Sequence, residues 1–139
     1  MSSQPPVVIE TAVNTSIEKA WETFTLPEHI VNWAFANEAW NVPSAENDLT
    51  VGGKFRTVMA AKDDSMSFDF AGEYTDITEY ENIEYDLGDS RHVKVQFIKL
   101  TDGVKVTQTF DPEADNSIEM QKDGWQSILD NYSKYTNSL

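Results

Sequence analysis

DGWQSILDNYSKY, residues 123–135, sets two aliphatic and three aromatic side chains among polar ones near the C-terminal end of the sequence. Trp125, Ile128, Leu129, Tyr132 and Tyr135 recur at the i, i+3, i+4, i+7 spacing that gathers side chains on one stripe of a helix. Ile118 extends the stripe backward, and Thr136 and Leu139 carry it forward. Asn116, with Glu119 three residues on, has capping-box spacing and marks the start. The helix is predicted to run roughly five turns, enough to cross a whole sheet. Such a stripe needs a broad apolar surface opposite it.

From Trp40 to Phe110 the pattern changes to strands, and this part of the chain supplies that surface. KFRTVMAA (54–61), SMSFDFAGEYTDI (65–77), ENIEYDLG (81–88), HVKVQFIKL (92–100) and VKVTQTF (104–110) read as strands with short connections at KDD, GDSR and TDG. The Asp-Gly of TDG is a strong hairpin signal, and Pro112 ends the run because it cannot continue a central strand. Ahead of these lies VVIETAV (7–13), with Val7, Ile9 and Val13 at strand spacing. A helix follows, opened by Thr15 and Glu18 and carrying Ile17, Ala20, Trp21 and Phe24 on one side. A second short helix has Pro27 in its first turn and turns Ile30, Val31, Trp33 and Phe35 inward. An antiparallel meander has one face to bury, and only the terminal helix is long enough to bury it. The predicted class is therefore α+β, one domain over residues 1–139, with no repeat and no low-complexity segment.

Composition narrows the function. With 24 acidic and 10 basic residues the formal net charge is −14, and Lys54, Arg56, Lys62, Arg91, Lys94, Lys99 and Lys105 are dispersed. Nucleic acid and anionic membranes are not expected partners; the charge reads as solubility. There is no cysteine, which removes disulfides, thiolate metal sites and cysteine nucleophiles. No run approaches the roughly 20 apolar residues of a membrane span. MSSQPPVVIE has neither a basic n-region nor an apolar h-region, so the expectation is a cytoplasmic protein without a signal peptide.

Five stretches carry a family resemblance: AWETFTLPEHIVNW (20–33), DLTVGGKFRTVM (48–59), SFDFAGEYTDI (67–77), VTQTFDPE (106–113) and GWQSILDNYSKY (124–135). In this order they resemble the helix-grip fold of the START-like (SRPBCC) superfamily, and within it the bacterial proteins similar to the C-terminal domain of the activator of Hsp90 ATPase. The resemblance implies a curved antiparallel sheet gripping the long helix, with a cavity between them that relatives use for apolar ligands. It also implies more than one activity, since such folds include ligand binders, cyclases and co-chaperones. The chain leaves no room for the separate N-terminal domain of the eukaryotic co-chaperone, so strong ATPase stimulation is not expected.

The remaining motifs favour binding over catalysis. TVGGKF (50–55) lacks the spacing of a phosphate loop and reads as a turn or bulge in which Gly52 and Gly53 take unusual φ. His29 and His92 have no partner at metal-ligand spacing, and nothing marks a nucleophile; no metal, cofactor or catalytic set is expected. Glu73 and Asp76 have the chemistry of a general base in a cyclase-like reaction, but in an acid-rich, one-faced sheet they read as solvated. Gly124 costs helix stability and needs a reason: tight approach of helix to sheet, the favoured one, or space kept open. The candidate cavity residues are Trp33, Trp40, Phe70, Tyr74, Gly124 and Ile128. Alternation leaves open which face of SFDFAGEYTDI points inward, because Gly72 could mark a bulge. The expected function is a non-enzymatic protein holding a small apolar molecule or a partner surface in the groove. The rivals are a co-chaperone touching an Hsp90-type chaperone and a small cyclase-like enzyme using cavity carboxylates.

Overall fold

The computed structural model describes residues 5–35, 37–87, 91–114 and 116–139. Ten elements follow in chain order: β1 (Val7–Val13), α1 (Ile17–Thr25), α2 (Pro27–Ile30), β2 (Trp40–Asn47), β3 (Lys54–Ala61), β4 (Ser67–Thr78), β5 (Asn82–Leu87), β6 (Arg91–Leu100), β7 (Gly103–Phe110) and α3 (Ile118–Asn137). The strands form one antiparallel sheet in the order β1-β7-β6-β5-β4-β3-β2. The first strand thus lies beside the last, and α1 and α2 carry the chain from one edge of the sheet to the other. The connection read in GDSR, residues 88–91, lies mostly outside the described residues.

Alternation sets the faces. On β7, Val104, Val106, Gln108 and Phe110 point inward, and on β6 Val93, Val95 and Phe97 do so. The sheet curves around α3, whose Leu129 and Tyr132 are 1% and 0% exposed. Hydrogen bonds fix the helix against the first half of the chain. The Tyr132 hydroxyl donates to the Ala20 carbonyl at 2.7 Å, Ser133 Oγ to the Ala12 carbonyl at 2.9 Å, and the Asn14 backbone N–H to Asn137 Oδ1 at 2.8 Å.

Both caps fall one residue later than their spacing suggests. Ser16 Oγ, not Thr15, accepts the N–H of Lys19 at 3.1 Å, and Ser117 Oγ, not the Asn116 side chain, accepts that of Met120 at 3.1 Å. Each site offers two adjacent residues able to cap. The second is used, which leaves Glu18 and Glu119 in the first turn, where a negative charge meets the positive helix end. The stripe of α3 also frays at its ends: Ile118 and Leu139 are exposed.

β2 has no clear alternation in sequence, yet it begins at Trp40, where the pattern changes to strands. It is an edge strand, and its register shifts between Asn41 and Ser44, around Pro43. A proline is tolerated there because no further strand needs its missing N–H. On β4 the register shift lies between Tyr74 and Asp76, not at Gly72. Phe70, Gly72 and Tyr74 therefore share the inner face. Gly72 makes room: a Cβ there would sit 2.6 Å from the Asp86 carbonyl oxygen and 2.9 Å from the Phe55 ring. In the turn before β3, Gly52 has φ +86°, whereas Gly53 has an ordinary φ and is needed because a Cβ would lie 2.3 Å from the Asp48 carbonyl oxygen.

Candidate ligand cavity under the terminal helix

A cavity of about 440 Å³ lies between the sheet and the N-terminal half of α3. Phe55, Thr57 and Met59 of β3, Phe70 and Tyr74 of β4, Ile83 and Tyr85 of β5 and Gln108 of β7 form its floor. Trp125, Ile128 and Leu129 of α3 roof it, and Phe24, Thr25, Ile30, Trp33 and Ala34 close the end nearest α1 and α2. The opposite end opens between Phe68, Asp69, Arg91 and Glu113, all of them half-buried or exposed.

The rings meet edge to face, which leaves gaps where a flat stack would leave none. Phe55 lies 4.8 Å from Tyr85 at 77°, and Phe70 lies 5.8 Å from Trp125 at 79°. Trp125 is also stacked on Phe110, centroids 4.0 Å apart and planes within 8°. That stack holds the roof to β7 at one side, while the other side reaches β4 across the cavity.

Most polar groups around the cavity are engaged with protein. The Tyr74 hydroxyl donates to Asn47 Oδ1 at 2.6 Å, and Asn47 Nδ2 donates to the Thr25 carbonyl at 2.5 Å, tying β4 and β2 to the end of α1. Trp33 Nε1 donates to the Thr23 carbonyl at 2.8 Å, and the Thr25 hydroxyl to the Trp21 carbonyl at 2.8 Å. Burial pushes the Tyr74 phenol above its ordinary pKa; the Asn47 hydrogen bond opposes this and the Asp48 charge adds to it. Burial does the same to Tyr85, reinforced by Tyr74 and opposed by the Gln108 amide. Both remain neutral hydroxyls at ordinary pH. The mouth carries the charge: Arg91 lies 3.9 Å from Glu113, and Asp69 accepts from Arg56 Nε at 2.8 Å.

Of the six candidates read from sequence, Trp33, Phe70, Tyr74 and Ile128 line this cavity, and Trp40 and Gly124 do not. Trp40 sits on the edge strand with its ring 5.8 Å from Phe68, outside the floor. A Cβ at Gly124 would meet nothing within 4 Å, so the favoured explanation of tight packing is overturned, and the cavity does not use the space either. Glu73 and Asp76 are exposed on the other face of the sheet, as alternation from Tyr74 and the bulge after it require. Asp76 accepts from Asn82 Nδ2 at 3.0 Å. Neither carboxylate reaches the cavity, which removes the cyclase-like chemistry assigned to them. His29 Nδ1 contacts the Tyr135 hydroxyl at 2.7 Å. His92 lies outside the cavity between Asp86 and Glu84.

Sequence reading missed Gln108, Thr57, Trp125, Arg91 and Glu113 as lining residues. For Gln108 a signal existed, since it is the one polar residue in the parity row Val104, Val106, Gln108, Phe110. Among the described residues no group of three or more histidine and carboxylate side chains is placed to hold a metal, and no helix is long and apolar enough to cross a membrane.

A curved antiparallel sheet closed over a long C-terminal helix, with two short helices after the first strand and a cavity beneath the long one, defines a helix-grip protein. The family comparison narrows this. Residues 14–137 match the family described as activator of Hsp90 ATPase homolog 1-like protein, and the chain belongs to that family. The AHSA1-like protein from Aeromonas hydrophila, known from a solution structure, is 36% identical, with a TM-score of 0.91 over 96% of this chain and 92% of that one. A protein from Cytophaga hutchinsonii is 44% identical, with a TM-score of 0.83 over the same shares. One from Nitrosomonas europaea shares the fold at 16% identity, with a TM-score of 0.83 over 96% of this chain and 95% of that one. None of the curated proteins matches.

Proposed function

We propose that this chain is a binding protein that holds a small apolar molecule in the cavity between the sheet and α3. The observation that carries the reading is the cavity itself. Its 440 Å³ falls within the roughly 300–1,000 Å³ of small-molecule sites, its walls are mostly aromatic and aliphatic, and it opens to solvent at one end. The charged groups around it sit at the mouth, in pairs, rather than in the depth. Affinity then comes from apolar burial, at about 25 cal/mol per Å² removed from water, and depends little on salt.

Titration with the neutral dye N-phenyl-1-naphthylamine at low and high salt tests this. Saturable binding with nearly equal affinity at both salts is the expected result. Absence of saturable binding, or binding abolished by salt, overturns it. Mass spectrometry of small molecules that co-purify with the protein then names the occupant. If the only companion to emerge is an Hsp90-type chaperone, with the cavity empty and unresponsive to dye, protein contact replaces ligand binding as the function.

A further inference from the structure

Gln108 is out of place for its strand. Its inward neighbours Val104, Val106 and Phe110 are 0%, 0% and 1% exposed, and all are apolar. Gln108 is itself 8% exposed, yet it lines the cavity from β7. A side-chain amide carries two N–H donors and a carbonyl with two lone pairs, and burying it without partners is unfavourable. Among the described residues the Gln108 side-chain amide forms no hydrogen bond with protein, and the Tyr85 hydroxyl, whose pKa it lowers, lines the same floor.

Four other polar side chains around the cavity are not in this position. Tyr74, Thr25, Trp33 and Asn47 each donate to protein oxygens. Gln108 and Tyr85 instead both line the floor, under the roof made by α3. Thr57 adds a hydroxyl-bearing side chain at the β3 wall.

We propose that Gln108, with the Tyr85 hydroxyl beside it, is the specificity element of the cavity, reading one neutral hydrogen-bonding group, a carbonyl or a hydroxyl, on an otherwise apolar aromatic ligand. This deepens the binding reading and rests on it. Neutrality follows from the two partners: an amide does not ionise, and the buried phenol keeps its proton. A carboxylate or ammonium taken to this depth would lose its water and gain no counter-charge. The aromatic part follows from the faces and edges of Phe55, Phe70, Tyr74 and Trp125 around it.

Acetylnaphthalene and its isopropyl isostere have nearly the same shape and differ in whether a carbonyl is offered. Displacement of bound N-phenyl-1-naphthylamine gives the affinity of each, and the ratio between them is the readout. Gln108→Leu is expected to lower the ketone-to-hydrocarbon ratio about ten-fold while keeping or improving hydrocarbon binding, which also reports that the variant is folded. Tyr85→Phe, which removes only an oxygen, is expected to lower it by a smaller factor. Naphthoate, the anionic analogue, is expected to bind the wild type more weakly than the ketone. A ratio unchanged in both variants, or naphthoate binding more tightly than the ketone, overturns the inference and leaves the binding reading standing. Failure of both neutral probes to bind the wild type overturns the two together.

Discussion

The two halves of α3 do different work. On the C-terminal half, Leu129, Tyr132 and Thr136 are 1%, 0% and 2% exposed, and hydrogen bonds run from Tyr132 and Ser133 to α1 and β1. On the N-terminal half, Gly124, Trp125 and Ile128 are only half-buried. The cause lies opposite the helix. The C-terminal half meets α1 and β1, where Ala20 and Val13 are 0% exposed and Trp21, Phe24 and Phe97 interlock at 5.1 and 5.5 Å. The N-terminal half faces aromatic side chains of β3, β4 and β5 that stand edge to face and leave the cavity. The helix is anchored at one end and serves as a roof at the other.

Stability should divide along the same line. Tyr132→Ala removes a fully buried ring and its hydrogen bond to the Ala20 carbonyl, so a loss of about 3–5 kcal/mol is expected. Trp125→Ala removes a larger ring, but one only half-buried and bordering empty space. Its expected cost is about 1–2 kcal/mol, mostly from the stack on Phe110. Denaturant unfolding of both variants measures the difference. A Trp125 loss equal to the Tyr132 loss would show that the roof is as firmly packed as the anchor.

Binding should divide the opposite way. Ile128→Trp places a large ring into the cavity from the roof and is expected to weaken dye binding about ten-fold or more, with a melting temperature near that of the wild type. A strong loss of stability would mean that the space is not free to be filled. Gly124→Ala sharpens the point at lower amplitude. Since a methyl there meets nothing within 4 Å, the gain in helix propensity is unopposed, and stability should rise by about 0.5–1 kcal/mol with dye affinity unchanged. Destabilisation by that methyl would return Gly124 to the close-packing explanation.

Most of the fold was legible because the signals are periodic. The stripe of α3 and the alternation of β5 to β7 each repeat over several residues, so an error at one position does not change the reading. Single positions were less secure. Thr15 and Ser16 are both competent caps, and spacing does not separate them. The bulge after Tyr74 is set by pairing with β5, where Asp76 rather than Thr75 faces Glu84, and no residue type announces it. The cavity was legible as a region but not as a list. An aromatic side chain that fills a core and one that borders a gap have the same sequence signature, and the signal for Gln108 is a single polar break in the row Val104, Val106, Gln108, Phe110.

The smallest effect concerns the back of the cavity half, where the outer face of the sheet adds what the inner face lacks. His92, the second residue of β6 and next to Arg91 at the mouth, has Nδ1 2.6 Å from Asp86 Oδ1 and Nε2 2.8 Å from Glu84 Oε1, both on β5. Its backbone N–H donates to Asp111 Oδ2 at 3.0 Å, just past β7. The Asp86 hydrogen bond is the main cause that raises the His92 pKa above 6.5; partial burial opposes it and Glu84 adds to it. Glu84 is held below its ordinary value by His92, by Asn82 and, more weakly, by Lys94 on the neighbouring strand. A raised folded-state pKa means that the protonated imidazole stabilises the fold fully below its unfolded value and stops doing so as pH rises through the folded value. The wild type should therefore lose stability relative to His92→Gln as pH climbs from near 6.5 into the alkaline range, the gap being largest on the acid side. With the His92 side chain 39% exposed, solvent screening keeps the effect small. Denaturation midpoints of the two proteins at matched pH and salt read it directly. Parallel pH profiles would mean that the imidazole clamp adds nothing to the pairing of β5 and β6 behind the cavity.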